Sequence, residues 1–302
     1  MSLGARMIGM KRVVGAGLAV AWVSAAAAQP LEPDYPTTEF EEGASSASVS
    51  ADGITATIDL VRRDDVDPEF DTPVLSVTVG GKEVLEVAGV AAGFDFPVTD
   101  ASIANIDPDN GRPEVYFASY SGGAHCCTQV IVATETEEGW EAVTIGAFDG
   151  DGFYLSDLDG DGLAEISTYD NRFLYRFGCY ACSAAPLIAL TVRDGKAYDI
   201  SANPGMLPAH RDWLGQIEDM VDPAERWTSP GFLAGWIAAK FRVGEGEAAW
   251  AALTDNWDFA NDQGEEVCLT GQPLDECPRR QRAVLNFPER LKLFLEETGY
   301  IR

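Results

Sequence analysis

Between Ser156 and Ser167 the chain reads SDLDGDGLAEIS, which sets Asp157, Asp159, Asp161 and Glu165 at positions 1, 3, 5 and 9 of one short loop. Calcium takes about six to eight oxygen ligands, and a glycine-sharpened turn with carboxylates at alternate positions supplies most of them. The carbonyl of Leu163, at position 7, adds another oxygen. Carboxylates held this close repel one another unless a cation lies among them. An EF-hand would need a Glu at position 12 and a helix on each side, whereas position 12 is Thr168 and the flanks GFYL and EISTYD read as strands. The chemistry expected of the loop is therefore the holding of a hard cation between two strands.

A second copy lies upstream. NIDPDNGRPEVYF (Asn105 to Phe117) aligns with DLDGDGLAEISTY (Asp157 to Tyr169) if one residue is inserted before Gly111. Asn105, Asp107, Asp109, Gly111 and Glu114 then fall against Asp157, Asp159, Asp161, Gly162 and Glu165. A repeat of about fifty residues is the span of a small sheet. The first copy departs from the pattern by its Asn105, its extra residue and Pro113. A further Asp-Gly-Asp-Gly, Asp149 to Gly152, reads as ordinary turn residues.

The pattern Asp-x-Asp-x-Asp-Gly-x-x-(Asp/Glu), entered from one strand and left into another, resembles the loops of FG-GAP and VCBS-type repeats of secreted and cell-surface proteins. The resemblance covers roughly residues 95–200. It implies calcium ligands at Asp157, Asp159, Asp161, Leu163 and Glu165, with Asn105, Asp107, Asp109 and Glu114 as the matching set. It also implies propeller blades that serve adhesion or ligand binding. A closed propeller needs at least about four blades, and two copies are visible, so a partial propeller of two or three blade-like units is the expectation.

Six cysteines occur, as Cys126-Cys127, Cys179-x-x-Cys182 and Cys268 with Cys277. An even count in an exported chain favours disulfides. Cys268 and Cys277 enclose a turn-rich loop and are expected to pair. Each of the other pairs follows its own acidic loop, which suggests a bridge from 126/127 to 179/182 stapling the two repeats. The alternative is a zinc or copper site of His125, Cys126, Cys127, Cys179 and Cys182. Redox chemistry of the thioredoxin kind would need a strand-then-helix context that the flanking residues do not give. No catalytic constellation is recognisable: there are two histidines, and SYSGGAH is not a Gly-x-Ser-x-Gly elbow. A hydrolase using some of the many acids is the remaining enzymatic alternative.

These residues need a scaffold. Lys11 and Arg12 precede the apolar run VVGAGLAVAWVSAAAA, too short to span a membrane comfortably and ending in small residues, so residues 1–28 are expected to be a signal peptide. That places the mature chain in the periplasm or outside the cell, with no further membrane segment. Residues 29–44, Pro- and acid-rich, are expected to be a flexible leader. Residues 45–203 alternate Val, Ile, Thr, Tyr and Phe between glycine turns, with hairpins expected about Asp52-Gly53 and Gly80-Gly81. DNRFLYRF reads as a further strand whose aromatics, Phe173, Tyr175 and Phe177, could bind sugar if exposed. Residues 204–302 change to helical periodicity. A helix pair there is expected to pack on the β-domain as a cap, with a peptide groove lined by Trp236 and Trp250 as the functional alternative, and NFPERLKLFLEETGY is expected to close the chain as a helix with Pro288 in its first turn, stopped at Gly299.

The class is thus α+β: a β-rich N-terminal domain with blade-like repeats and a C-terminal helical region. With 49 acids against 21 basic residues, the formal charge is −28. Such a surface repels phosphate backbones and anionic lipid, which excludes nucleic acid as a partner. A protein or a glycan is the compatible ligand. A content of 46% hydrophobic residues with seven Trp excludes a disordered acidic chain.

Overall fold

The computed structural model describes residues 35–41, 43–91, 98–124, 126–150 and 154–301. The expected signal peptide lies outside them, as does His125.

Three four-stranded antiparallel sheets follow one another, each a meander in chain order. The first contains β1 (Ser46–Ala51), β2 (Ile54–Arg63), β3 (Asp67–Val79) and β4 (Lys82–Ala88). Its turns at Asp52-Gly53 and Gly80-Gly81 have positive φ at all four residues, as such tight hairpins require. The second contains β5 (Thr99–Ala104), β6 (Glu114–Tyr120), β7 (Cys126–Thr136) and β8 (Gly139–Asp149). The third contains β9 (Leu155–Ser156), β10 (Glu165–Tyr169), β11 (Leu187–Arg193) and β12 (Lys196–Asp199). Both acidic loops join the first strand of a sheet to the second.

The middle sheet is covered on both faces, which explains why β6, EVYFASY, lacks a polar alternation. Successive side chains point to opposite faces. Val115 and Phe117 therefore pack with Ile54, Ile58 and Leu75 of the first sheet. Tyr116 and Ala118 pack with Leu155, Ile166 and Val192 of the third. The described sheets do not close into a propeller. Part of the expected flexible leader is tied down: Thr38 N donates to Ala101 O (2.8 Å) and Ile103 N to Pro36 O (3.0 Å), so this segment continues the hydrogen bonding of β5.

The helices are α1 (Leu207–Asp219), α2 (Pro230–Arg242), α3 (Gly246–Asn256) and, after the hairpin β13 (Glu265–Cys268) and β14 (Arg282–Leu285), α4 (Phe287–Thr298). Helix α4 begins with a reciprocal capping box between Asn286 and Glu289 and ends at Gly299 in the left-handed conformation. Helix α2 is buried from Gly231 to Ala239 and forms the centre of the helical core. A Cβ on Gly231 or Gly235 would overlap the carbonyls of Cys182 and Ala184 respectively, so these glycines let the chain after the Cys179–Cys182 loop cross the helix closely. The strand-to-helix change falls near residue 204, yet the two parts share a core that joins Phe173, Ala184 and Ala185 to the helices.

Three expectations are corrected here. DNRFLYRF is not a strand: Asn171–Phe173 is a 3-10 turn and Tyr175 has φ 58°. Phe173 is buried in the helical core rather than displayed in an aromatic row. Trp236 is buried in that core with its indole N–H on Glu218 (3.0 Å), so it does not line an open groove, and Trp250 packs against the same core half-buried. The β13–β14 hairpin was not expected; its strands, EEVC and RAVL, are too short to register as a pattern.

Candidate metal centre

The Asp157–Glu165 loop is shaped by its own carboxylates. Asp157 accepts from Gly160 N (2.7 Å) and Gly162 N (3.1 Å), so one side chain folds the turn back on itself. Asp159 accepts from Asp161 N (3.2 Å), and Asp161 from Leu163 N (2.8 Å). Gly160 and Gly162 have φ 78° and 91°, which an L side chain rarely adopts. The result brings one oxygen each of Asp157, Asp159 and Glu165 within 4.8 Å of one another. Asp161, although adjacent, is not in that group.

Glu165 opens β10 and is 5% exposed. One oxygen accepts from Leu158 N (2.8 Å); the other takes no hydrogen bond among the described residues. Burial pushes its carboxyl up to about 7, opposed by the Leu158 N–H and reinforced by the charges of Asp159, Asp161 and Asp157. A buried acid beside other acids, with an oxygen to spare, is the electrostatic setting a cation relieves. Tyr35 lies close enough that burial, then Asp157 and Glu165, push its phenol up to about 12. Its hydroxyl is buried without a hydrogen-bond partner among the described residues. A Cβ on Gly205 would come 2.6 Å from Asp159 Oδ2, so the turn before α1 backs this carboxylate directly. Tyr35 and Gly205 are far from the motif in sequence, and no local signal marks them.

The first loop spends its acids differently. Glu114, fully buried, accepts from Ile106 N (2.7 Å) and Asp107 N (3.0 Å) on one oxygen and from the Asn110 side-chain amide (2.6 Å) on the other. Burial raises the Glu114 carboxyl, and these donors oppose that rise. Asp107 accepts from Asp109 N (2.8 Å) and Asp194 N (3.0 Å). Asn110 is the residue inserted relative to the second loop, so the insertion itself supplies a donor to the matching glutamate. Asn105 and Asp109 are exposed, and the described acids of this loop do not converge as a group. The loops touch through Ala164 N donating to Asn105 O (2.7 Å).

All six cysteines are paired: Cys126 with Cys127, Cys179 with Cys182, and Cys268 with Cys277. The expected bridge between the repeats is therefore replaced by local closures. Cys179 and Cys182 meet because the chain between them makes a 3-10 turn, with their Cα atoms 5.0 Å apart. Asp149, of the upstream Asp-Gly-Asp-Gly, is buried and accepts from the hydroxyls of Tyr169 (2.9 Å) and Tyr180, a structural use that keeps it away from the acidic loop.

Residues 210–299, which span most of the helical region, match the family model described as the sll0997 C-terminal domain. The probable thylakoid lumen protein sll0997 of Synechocystis sp. is 34% identical over 233 residues, which cover 76% of this chain and 68% of that protein. The chain belongs to the sll0997 family. A second relative of this family member, the uncharacterized protein y4bJ of Sinorhizobium fredii, is 33% identical over 224 residues, 73% of this chain but only 35% of the longer protein. No solved structure matches. The family model lies wholly after Glu165, so the acidic loops fall outside the region it describes.

Proposed function

We propose that this chain is an exported calcium-binding module, non-catalytic, in which one ion ties the Asp157–Glu165 turn and a neighbouring surface binds a protein or glycan. The observation that carries the reading is the convergence of Asp157, Asp159 and Glu165 on one point, with Glu165 buried and one of its oxygens unclaimed among the described residues. The carboxylate-only donor set favours a hard cation over zinc or copper. The stacking of three successive four-stranded meanders, with acidic loops at the same place in two of them, supports the FG-GAP and VCBS-type resemblance and a blade-like reading of the sheets. With no more than three carboxylates gathered, affinity should lie in the range of extracellular modules, on the order of 10⁻⁴ to 10⁻³ M. Export agrees with the N-terminal apolar run and with the Synechocystis relative's description as a probable thylakoid lumen protein. No helix among the described residues is long and apolar enough to cross a membrane.

The test is elemental analysis of protein purified without chelator, paired with melting curves before and after EDTA. Calcium near one equivalent, lost to EDTA together with a lower melting temperature, is the expected result. Zinc or copper in stoichiometric amount, or a melting temperature indifferent to both calcium and EDTA, overturns the proposal.

A further inference from the structure

A cleft of about 630 Å³ lies between the loop closed by Cys268–Cys277 and helix α4, with Arg176 and Phe177 at one side. Its size falls within the range of small-molecule sites. Leu269, Leu274 and Leu293 all line it, and they are 52%, 39% and 36% exposed. Three exposed leucines on one concave surface form an apolar patch that the described residues do not cover.

The charges on this wall are unequal in their commitments. Arg290 is held by Glu265 (2.6 Å) and Glu266 by Arg282 (3.6 Å). Glu297 is exposed to solvent. Arg176 has no carboxylate partner among the described residues; its guanidinium instead stands over the rings of Phe177 (5.9 Å) and Phe294 (5.5 Å). A cation resting on aromatic faces loses water on that side while its N–H donors stay available to an anion, which strengthens a charge-assisted bond there.

We propose that this cleft binds a small apolar carboxylate, its acid group on Arg176 and its apolar body against Leu269, Leu274 and Leu293. The disulfide holds the Leu269 and Leu274 wall in place, so the site is largely formed before the ligand arrives. The site shares no residue with the acidic loop and does not depend on calcium.

The experiment is calorimetric titration of the full chain, in chelator, with decanoate, decanol and decyltrimethylammonium, each below its micelle-forming concentration. Saturable binding of one decanoate is expected, weakened on the order of tenfold by Arg176→Gln, the loss a charged hydrogen bond carries. Decanol should bind the native protein and Arg176→Gln alike, and Leu293→Ser should weaken both ligands. Melting curves confirm that the variants fold. Equal affinity for decanoate and decanol, tighter binding of the cationic probe, affinities unchanged in both variants, or no binding overturns the proposal. Because chelator is present throughout, failure here leaves the calcium reading untouched, and failure of that reading leaves this one standing.

Discussion

The two acidic loops occupy the same place in neighbouring sheets and contain matching residues, yet their buried glutamates find different numbers of donors. In the first, Glu114 takes two backbone N–H groups and the Asn110 amide, and Asp107 takes two more N–H groups. In the second, Asp157 takes two N–H groups and Asp159 one, but the buried Glu165 takes only one, and the three carboxylates converge. A buried carboxylate is stable when hydrogen bonds replace its lost water and costly when they do not. The comparison teaches that a loop of this kind can be closed internally by donors of the chain or externally by a cation, and that a single inserted asparagine contributes to the difference.

The comparison can be broken most forcefully at Glu114. Glu114→Ala should cost about 3 kcal/mol or more, since it strands the buried N–H groups of Ile106 and Asp107. The loss, read by urea melts, should be the same with calcium and with EDTA. A calcium-dependent loss would mean that the first loop also holds an ion.

Next in size is the response to calcium itself. At about 100 times its Kd, calcium should add roughly 2.7 kcal/mol to the native chain. Asp159→Ala should abolish that increment and leave the EDTA-treated stability nearly unchanged. An equal loss with chelator would show Asp159 acting without the ion.

Glu165→Gln tests the cost of the uncompensated acid. The folded-state pKa, near 7, lies above the ordinary value of 4.5, so the folded chain holds this proton more tightly than the unfolded one. Metal-free stability is therefore fully favoured below about 4.5 and falls as pH rises through about 7. The glutamine variant in EDTA should lose that slope and be more stable than the native chain at pH 8 by about 1 to 2 kcal/mol. It should also bind calcium more weakly. The smallest effect is at Gly205. Gly205→Ala brings a methyl against Asp159 Oδ2, and should lower calcium affinity about fivefold, close to 1 kcal/mol, with little change in EDTA. Calorimetry and parallel melts check both.

Much of the scaffold was legible because its signals are local. The Asp52-Gly53 and Gly80-Gly81 turns demand positive φ, and the flanking alternation sets the hairpins around them. Helix α4 announced itself by Pro288 and Gly299, which act within one turn of the residues they cap. DNRFLYRF misled because period-two aromatics also arise where one ring fills a distant core, as Phe173 does against Phe294 (4.9 Å) and Tyr300 (5.4 Å). The cysteine pairing misled for the same reason in reverse: a parallel between two repeats suggested a long bridge, and local turn geometry closed short ones.

The sequence by itself determined the acidic loops, their placement between strands, the β-then-helix order and the acidity of the chain, because each depends on residues close in the chain or on composition alone. Tertiary structure decided which loop has oxygens to give. Beside the local Asn110 donor, that choice rests on Asp194 and Gly205, whose N–H group and missing side chain reach the carboxylates only once the sheets are stacked and the turn before α1 is docked. Likewise only the packed chain could set three leucines and Arg176 around one cleft, since residues 176, 269, 274 and 293 share no local pattern. Hydrogen-bond donors and burial come from neighbours in space, and it is they that fix whether a carboxylate is structural or free to bind.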